Sequence, residues 1–213
     1  MVMGRRVLIA LAVTLFAASA TTAIAQQGRY VDADVIKALR AGGYVIVLRH
    51  AASEPDQADL EPRNFKNIKQ QQQLTANGRA LAKSFGDAVR GIGARVVDVQ
   101  TSYFHRAHQT AVLAGYPTAK QTIDLTEGSL VASPNENRRR SEALRKLVIQ
   151  PVPAGETRLL VTHKINLMNA FGKEWFDVKE GEASIFRVEN GAYSLMWRVQ
   201  MDEWSRIAAT AKR

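Results

Sequence analysis

Apolar and polar positions follow two rhythms along this chain. Short β-branched runs alternate with longer stretches whose apolar residues fall three and four apart, which predicts an α/β domain. The first helical stretch is 32–41, with Val35, Ile36 and Leu39 on one face, and Gly42-Gly43 ends it. Residues 44–48, Tyr-Val-Ile-Val-Leu, are apolar throughout, as expected of a strand buried on both faces, and they deliver Arg49 and His50. Residues 51–73 are polar, carry Pro55 and Pro62 and end in four glutamines, which predicts an irregular loop. A loop of that length inside a compact domain is more often a functional flap than filler. The glutamine run itself is too short to carry an argument.

Thr75 is placed to cap a helix reaching Arg90, with Leu81, Phe85, Ala88 and Val89 on one face; Gly78 at its third position means that no capping box supports it. Residues 96–101 predict a second strand, Ser102 a cap, and 104–114 a helix. Leu144, Leu147 and Val148 mark a further helix, closed by Pro151 and Pro153. The third clear strand, 158–162, ends at His163 and leads into a helix over 166–171. Strands over 183–188 and 193–199 flank Asn190-Gly191, a strong hairpin signal. There is no internal repeat.

The beginning of the chain reads differently. Arg5 and Arg6 precede an apolar and small-residue run that ends in Ala23-Ile24-Ala25, the pattern of a secretory signal cleaved before Gln26. The apolar core is short and is followed at once by the cleavage site, which argues against a retained anchor. The expectation is a signal peptide over 1–25, one domain over 26–213, a periplasmic or secreted location and no stable membrane insertion after cleavage. Oligomeric state is not legible. The absence of cysteine excludes disulfides, thiolate metal sites and a lipid anchor on sulfur. The chain carries 29 lysines and arginines against 20 acids, a net charge of +9, and the signal holds only two of those arginines. A basic domain suits an anionic substrate, and the exported location argues against nucleic acid as the main partner.

Three strands end in groups suited to phosphate: Arg49-His50 after the first, Arg106 just past the second and His163 after the third. Ligands of open α/β sheets bind at the carboxyl ends of strands, so these residues can meet in one crevice. Neutral imidazole offers a nucleophilic nitrogen near neutral pH, and phosphohistidine is labile enough for water to discharge. Guanidinium forks match phosphoryl oxygens and stay charged, and a protonated His163 would add a donor.

The segments Leu48-Arg49-His50-Ala51, Leu74-Thr75-Ala76-Asn77-Gly78-Arg79, Ser102 to Ala111, Val161-Thr162-His163 and Glu180-Gly181-Glu182-Ala183 resemble, in order, motifs of the histidine phosphatase superfamily. The resemblance implies a three-layer α/β/α sandwich around a mainly parallel sheet, phosphoglycerate mutase-like, with His50 as nucleophile and Arg49, Arg106 and His163 as the phosphate pocket. It implies no metal and no cofactor. Ala51 stands where the motif has glycine, and Lys164 follows His163 where the acid phosphatase branch has aspartate, which places the chain with the mutase-like branch. The proton donor is then a carboxylate after the Arg106 helix. Glu127 fits best, Glu54 is a competitor, and substrates with good leaving groups need no donor.

The expected activity is metal-independent hydrolysis of small phosphate monoesters through a phosphohistidine on His50. The alternatives are a phospho-ligand-binding protein without turnover, a phosphotransferase or mutase, and a metallohydrolase using His105 and His108. Those two histidines lie three apart on a predicted helix and suit local packing or substrate contact better than a metal, since no further ligands are at hand. The run Arg138-Arg139-Arg140 reads as a solvated face, with attraction of anionic groups as the lesser reading. Trp175, Trp197 and Trp204 read as core or edge residues.

Overall fold

The computed structural model describes residues 30–128 and 132–212; the segment read as a signal, 1–25, lies outside the described residues. Strand alternation decides the architecture. In β1 (Tyr44–Arg49) Val45 and Val47 belong to one apolar cluster and Ile46 and Leu48 to another, all fully buried. β4 (Thr157–Thr162) is buried along its whole length and splits the same way, Leu159 and Val161 against Leu160. A strand that buries both faces needs a layer of helices on each side.

One layer consists of α1 (Asp32–Ala41), α2 (Ala76–Gly91), α3 (His105–Leu113) and α6 (Trp204–Thr210). The other consists of α4 (Pro134–Ile149) and α5 (Lys164–Phe171). The remaining strands are β2 (Val96–Thr101), β3 (Lys120–Gln121), β5 (Ala183–Glu189) and β6 (Ala192–Val199). Their order is β3-β2-β4-β1-β5-β6, parallel from β3 to β1 and antiparallel from β1 through β5 to β6. This is the expected three-layer sandwich around a mainly parallel sheet. Asn190 and Gly191 turn the last hairpin, both with positive φ, as the tight turn requires. Trp204 and Trp175 are core residues, whereas Trp197 is half-buried and stacks on Tyr44. Among the described residues no helix is long and apolar enough to cross a membrane.

Several boundaries depart from the sequence expectation. β3 is two residues of polar sequence and α6 is a short terminal helix, so neither had a periodic signal to find. α5 begins at Lys164 rather than at residue 166, because His163 itself is the N-cap. Ser102 is not the cap of α3. The N-cap is Phe104, whose N–H donates to Ser102 Oγ at 3.0 Å, while the His105 N–H donates to Gln71 Oε1 at 2.7 Å.

That last bond gives the glutamine run a purpose. The 51–73 loop folds back on itself: Ser53 bridges Leu74, the Glu54 N–H donates to the Gln73 carbonyl and the Leu60 N–H to the Gln70 carbonyl. Buried Gln71 also donates to the Phe65 carbonyl, and Phe65 stacks on Tyr103 and meets the edge of Phe104. The flap is therefore docked on the start of α3 by side-chain amides and rings rather than by regular secondary structure.

Gly78 is the third residue of α2, where Thr75 Oγ1 accepts from its N–H at 2.9 Å. A β-carbon there would collide with the Ala52 carbonyl oxygen, two residues past His50. Gly78→Ala gains about 1 kcal/mol or less in helix propensity against roughly 1–3 kcal/mol of overpacking on rigid backbone. The expected outcome is net destabilisation, read as a lower urea midpoint; a midpoint equal to or above the parent's would refute it.

Candidate active site

Register places the two histidines. β1 and β4 pair in parallel with Arg49 opposite Thr162, so the next residue on each strand, His50 and His163, are neighbours. The ladder continues one step further, with the His50 N–H on the Thr162 carbonyl at 3.0 Å, and the two rings lie 5.1 Å apart between centroids. β2 pairs Thr101 with Val161, and the Ser102 N–H takes the Val161 carbonyl, which sets Ser102 beside His163. Arg106 then projects from the first turn of α3 to bring its Nε within 3.4 Å of His50 Nε2.

His50 is 4% exposed, and its tautomer follows from its neighbours. Nδ1 lies 2.9 Å from the Ala51 carbonyl, which can only accept, so Nδ1 carries the proton and Nε2 the lone pair. Arg106 Nε donates to that lone pair. Burial, then the Arg106 charge, hold this imidazole well below its ordinary pKa despite the opposing pull of the Ala51 bond. The ring is held neutral, with an unprotonated Nε2.

His163 is oriented by a hydroxyl relay. Its Nε2 lies 2.8 Å from Ser102 Oγ, which is 3.3 Å from Thr126 Oγ1, and the Thr126 hydroxyl donates to the Thr122 carbonyl at 2.9 Å. With the Thr126 proton committed, Ser102 donates to Thr126 and accepts from His163 Nε2–H. His163 Nδ1 is left buried without a hydrogen bond, 3.6 Å from Glu127 Oε1. Burial, Arg106, His50 and Arg49 hold this ring, too, well below its ordinary pKa.

Arg49 donates from Nη1 to the Val178 carbonyl at 2.7 Å and from Nη2 to Glu180 Oε1 at 3.3 Å, while its Nε is buried and unpartnered. Glu180 also accepts from the Ser53 N–H and the Ser53 hydroxyl, so one carboxylate fixes both the arginine and the start of the flap. Gly181, at φ 76°, turns its N–H onto the His50 carbonyl.

Glu127 lies against this cluster: Oε1 is 2.5 Å from Arg106 Nη2, and burial first, with Asp59 adding to it, raises its pKa against the opposing pull of Arg106 and Arg49. Glu54 is exposed on the flap. Sequence reasoning missed Asp59, whose two carboxylate oxygens lie 3.0 and 2.9 Å from Arg106 Nη1, as well as the supporting Glu180, Ser102 and Gln71. Glu180 and Ser102 lay inside motifs already singled out. Asp59 sits in an aperiodic polar stretch and had no signal.

His105 and His108 stay outside this cluster of contacts. His108 Nδ1 lies 3.3 Å from Thr101 Oγ1, and among the described residues no three His, Cys, Asp or Glu side chains gather as metal ligands. Arg139 and Arg140 pair with Glu136, and Arg140 also donates to the Thr126 carbonyl beside Glu127, while Arg138 is exposed. The run thus buttresses the acid-bearing segment as well as facing solvent.

These environments predict that His50 and His163 both remain neutral at about pH 6, below the ordinary histidine midpoint, with His50 as the Nδ1–H tautomer. Ring ¹⁵N shifts measure both; a protonated His50 at that pH would contradict the assignment.

Comparison with protein-family models and with curated proteins finds no match. Solved structures do match. Protein histidine phosphatase SixA, complexed with tungstate, superposes with a TM-score of 0.51 at 17% identity over 75% of this chain and 98% of its own. A mutant phosphoserine phosphatase from Entamoeba histolytica, in complex with phosphoserine, gives 0.51 at 14% identity over 74% and 97%. The Mycobacterium tuberculosis open reading frame Rv3214 gives 0.53 at 17% identity over 73% and 96%. The chain has the phosphoglycerate mutase-like α/β fold that these structures share.

Proposed function

We propose that this chain is an exported, metal-independent phosphatase for small phosphate monoesters that works through a phosphohistidine on His50. The observation that carries the reading is the His50 Nε2 lone pair, set by the Nδ1–H bond to Ala51 and facing the Arg106 guanidinium. Two buried polar atoms without partners, Arg49 Nε and His163 Nδ1, belong to the same cluster and suit phosphoryl oxygens. Bound phosphate would add negative charge beside His163, so that Nδ1 takes up a proton and donates to it. The likeness in fold to phosphatases, one bound to tungstate and one to phosphoserine, supports the reading. The N-terminal signal pattern supports export.

In this mechanism His50 Nε2 attacks phosphorus in line, the ester P–O bond breaks, and Glu127 gives its proton to the leaving alcohol. The Glu127 carboxylate then takes a proton from water, which attacks phosphorus as the N–P bond breaks and His50 returns neutral. A carboxyl with a raised pKa suits the acid role, and the depressed pKa of His50 keeps the nucleophile unprotonated into mildly acidic pH. Activity therefore extends below the ordinary histidine midpoint and falls on the alkaline side as Glu127 ionises.

The purified chain from Gln26 onward is expected to hydrolyse para-nitrophenyl phosphate with or without chelator, and His50→Ala to lose at least about a thousandfold in kcat. Absence of turnover in the parent would favour a binding protein, and loss on chelation would favour a metallohydrolase. Glu127→Gln is expected to lower kcat on alkyl phosphates by about 10²–10⁴ and to remove the alkaline limb of the pH profile. It should spare para-nitrophenyl phosphate, whose leaving group is stable as an anion; equal losses on both substrates would rule out Glu127 as the donor.

A further inference from the structure

Arg106 is almost fully buried, and all three of its guanidinium nitrogens are engaged by protein groups: Nε by His50, Nη2 by Glu127 and Nη1 by both oxygens of Asp59. Asp59 is not a chance visitor from a loose loop. Its Oδ1 also accepts from the Gln72 N–H at 2.9 Å, and the Leu60 N–H beside it is tied to the Gln70 carbonyl at 2.8 Å. The flap that carries it is docked through Gln71 and Phe65. A built element thus holds a carboxylate against the arginine that the phosphate reading needs.

Carboxylate and phosphoryl oxygens are anionic acceptors with the same preference for a guanidinium fork, and like charges brought together at one donor repel. We propose that Asp59 is a specificity-determining carboxylate of the anion pocket, competing with phosphoryl oxygens for Arg106 and so weakening the site for small free anions such as orthophosphate. The inference rests on the phosphatase reading and deepens it. Product phosphate, which brings no contacts beyond its own oxygens, is released readily, whereas an ester gains further contacts from its alcohol portion. Asp59 takes Nη1 of Arg106 and Glu127 takes Nη2, and the Asp59 charge also helps to raise the Glu127 pKa.

The test is calorimetric titration of the full mature chain with sodium orthophosphate near neutral pH. Asp59→Asn keeps an acceptor for the Gln72 amide but removes the charge, and is expected to bind orthophosphate about tenfold tighter than the parent. Asp59→Ser, which removes the same charge with a smaller side chain, moves affinity in the same direction and serves if the asparagine variant does not fold. Glu61→Gln is the control for a loosened flap, because Glu61 holds Asn64 and Asn67 on the same loop without touching Arg106; its affinity should equal the parent's. Unchanged or weaker binding by the Asp59 variants would overturn the proposal, and so would equal tightening by Glu61→Gln. If neither the parent nor any Asp59 variant binds orthophosphate, the phosphate reading itself fails and the inference falls with it.

Discussion

Parallel pairing of β1 with β4 is the constraint on which the site depends. Arg49 stands opposite Thr162, and the strands run out together into His50 and His163. A slip of one residue would turn Ile46 and Leu48 onto the face occupied by Val45 and Val47 and carry the imidazoles apart. Register is held because both faces of both strands are buried, so the same apolar alternation that assembles three layers also aligns the histidines. Arg106 depends on it at one remove, since β2 is registered against β4 and delivers α3 beside the strand ends.

Charge inside this small volume is distributed with consequences for chemistry. Arg106 is buried and Arg49 half-buried, each with carboxylate partners, Glu180 for Arg49, Asp59 and Glu127 for Arg106. Cations that would otherwise be costly to bury are thereby compensated. Burial and the Arg106 and Arg49 charges hold both imidazoles neutral even though Glu180 and Glu127 lie near them, a state suited to nucleophilic attack by one and to proton uptake with an anion by the other. Glu127 is pushed the opposite way from His50, and groups whose pKa values are driven apart are suited to acid and nucleophile roles at one pH.

Much of this was legible in residue order, and the exceptions have physical reasons. The aliphatic runs 45–48 and 159–161 announce buried strands, Arg49, His50 and His163 announce themselves by lying where those strands end, and Arg106 by lying just past the strand over 96–101. Glu127 was reached through family resemblance and falls beside Arg106 and His163. Asp59 was not reached, because its contact with Arg106 crosses 47 positions from an aperiodic loop. Gln71 was hidden in a low-complexity run, although its amide caps α3 and pins the flap. Ser102 was read as a helix cap because serine favours that place, but its hydroxyl is committed to the relay that orients His163.

The most direct test of the central claim is covalent. During steady-state turnover of a phosphate monoester, the protein is quenched in alkali, where phosphohistidine persists, and digested for mass spectrometry. The account predicts phosphate on the peptide that contains His50, lost on acid treatment. Turnover with no phosphorylated His50 at any quench time, or with phosphate on another residue, would contradict it.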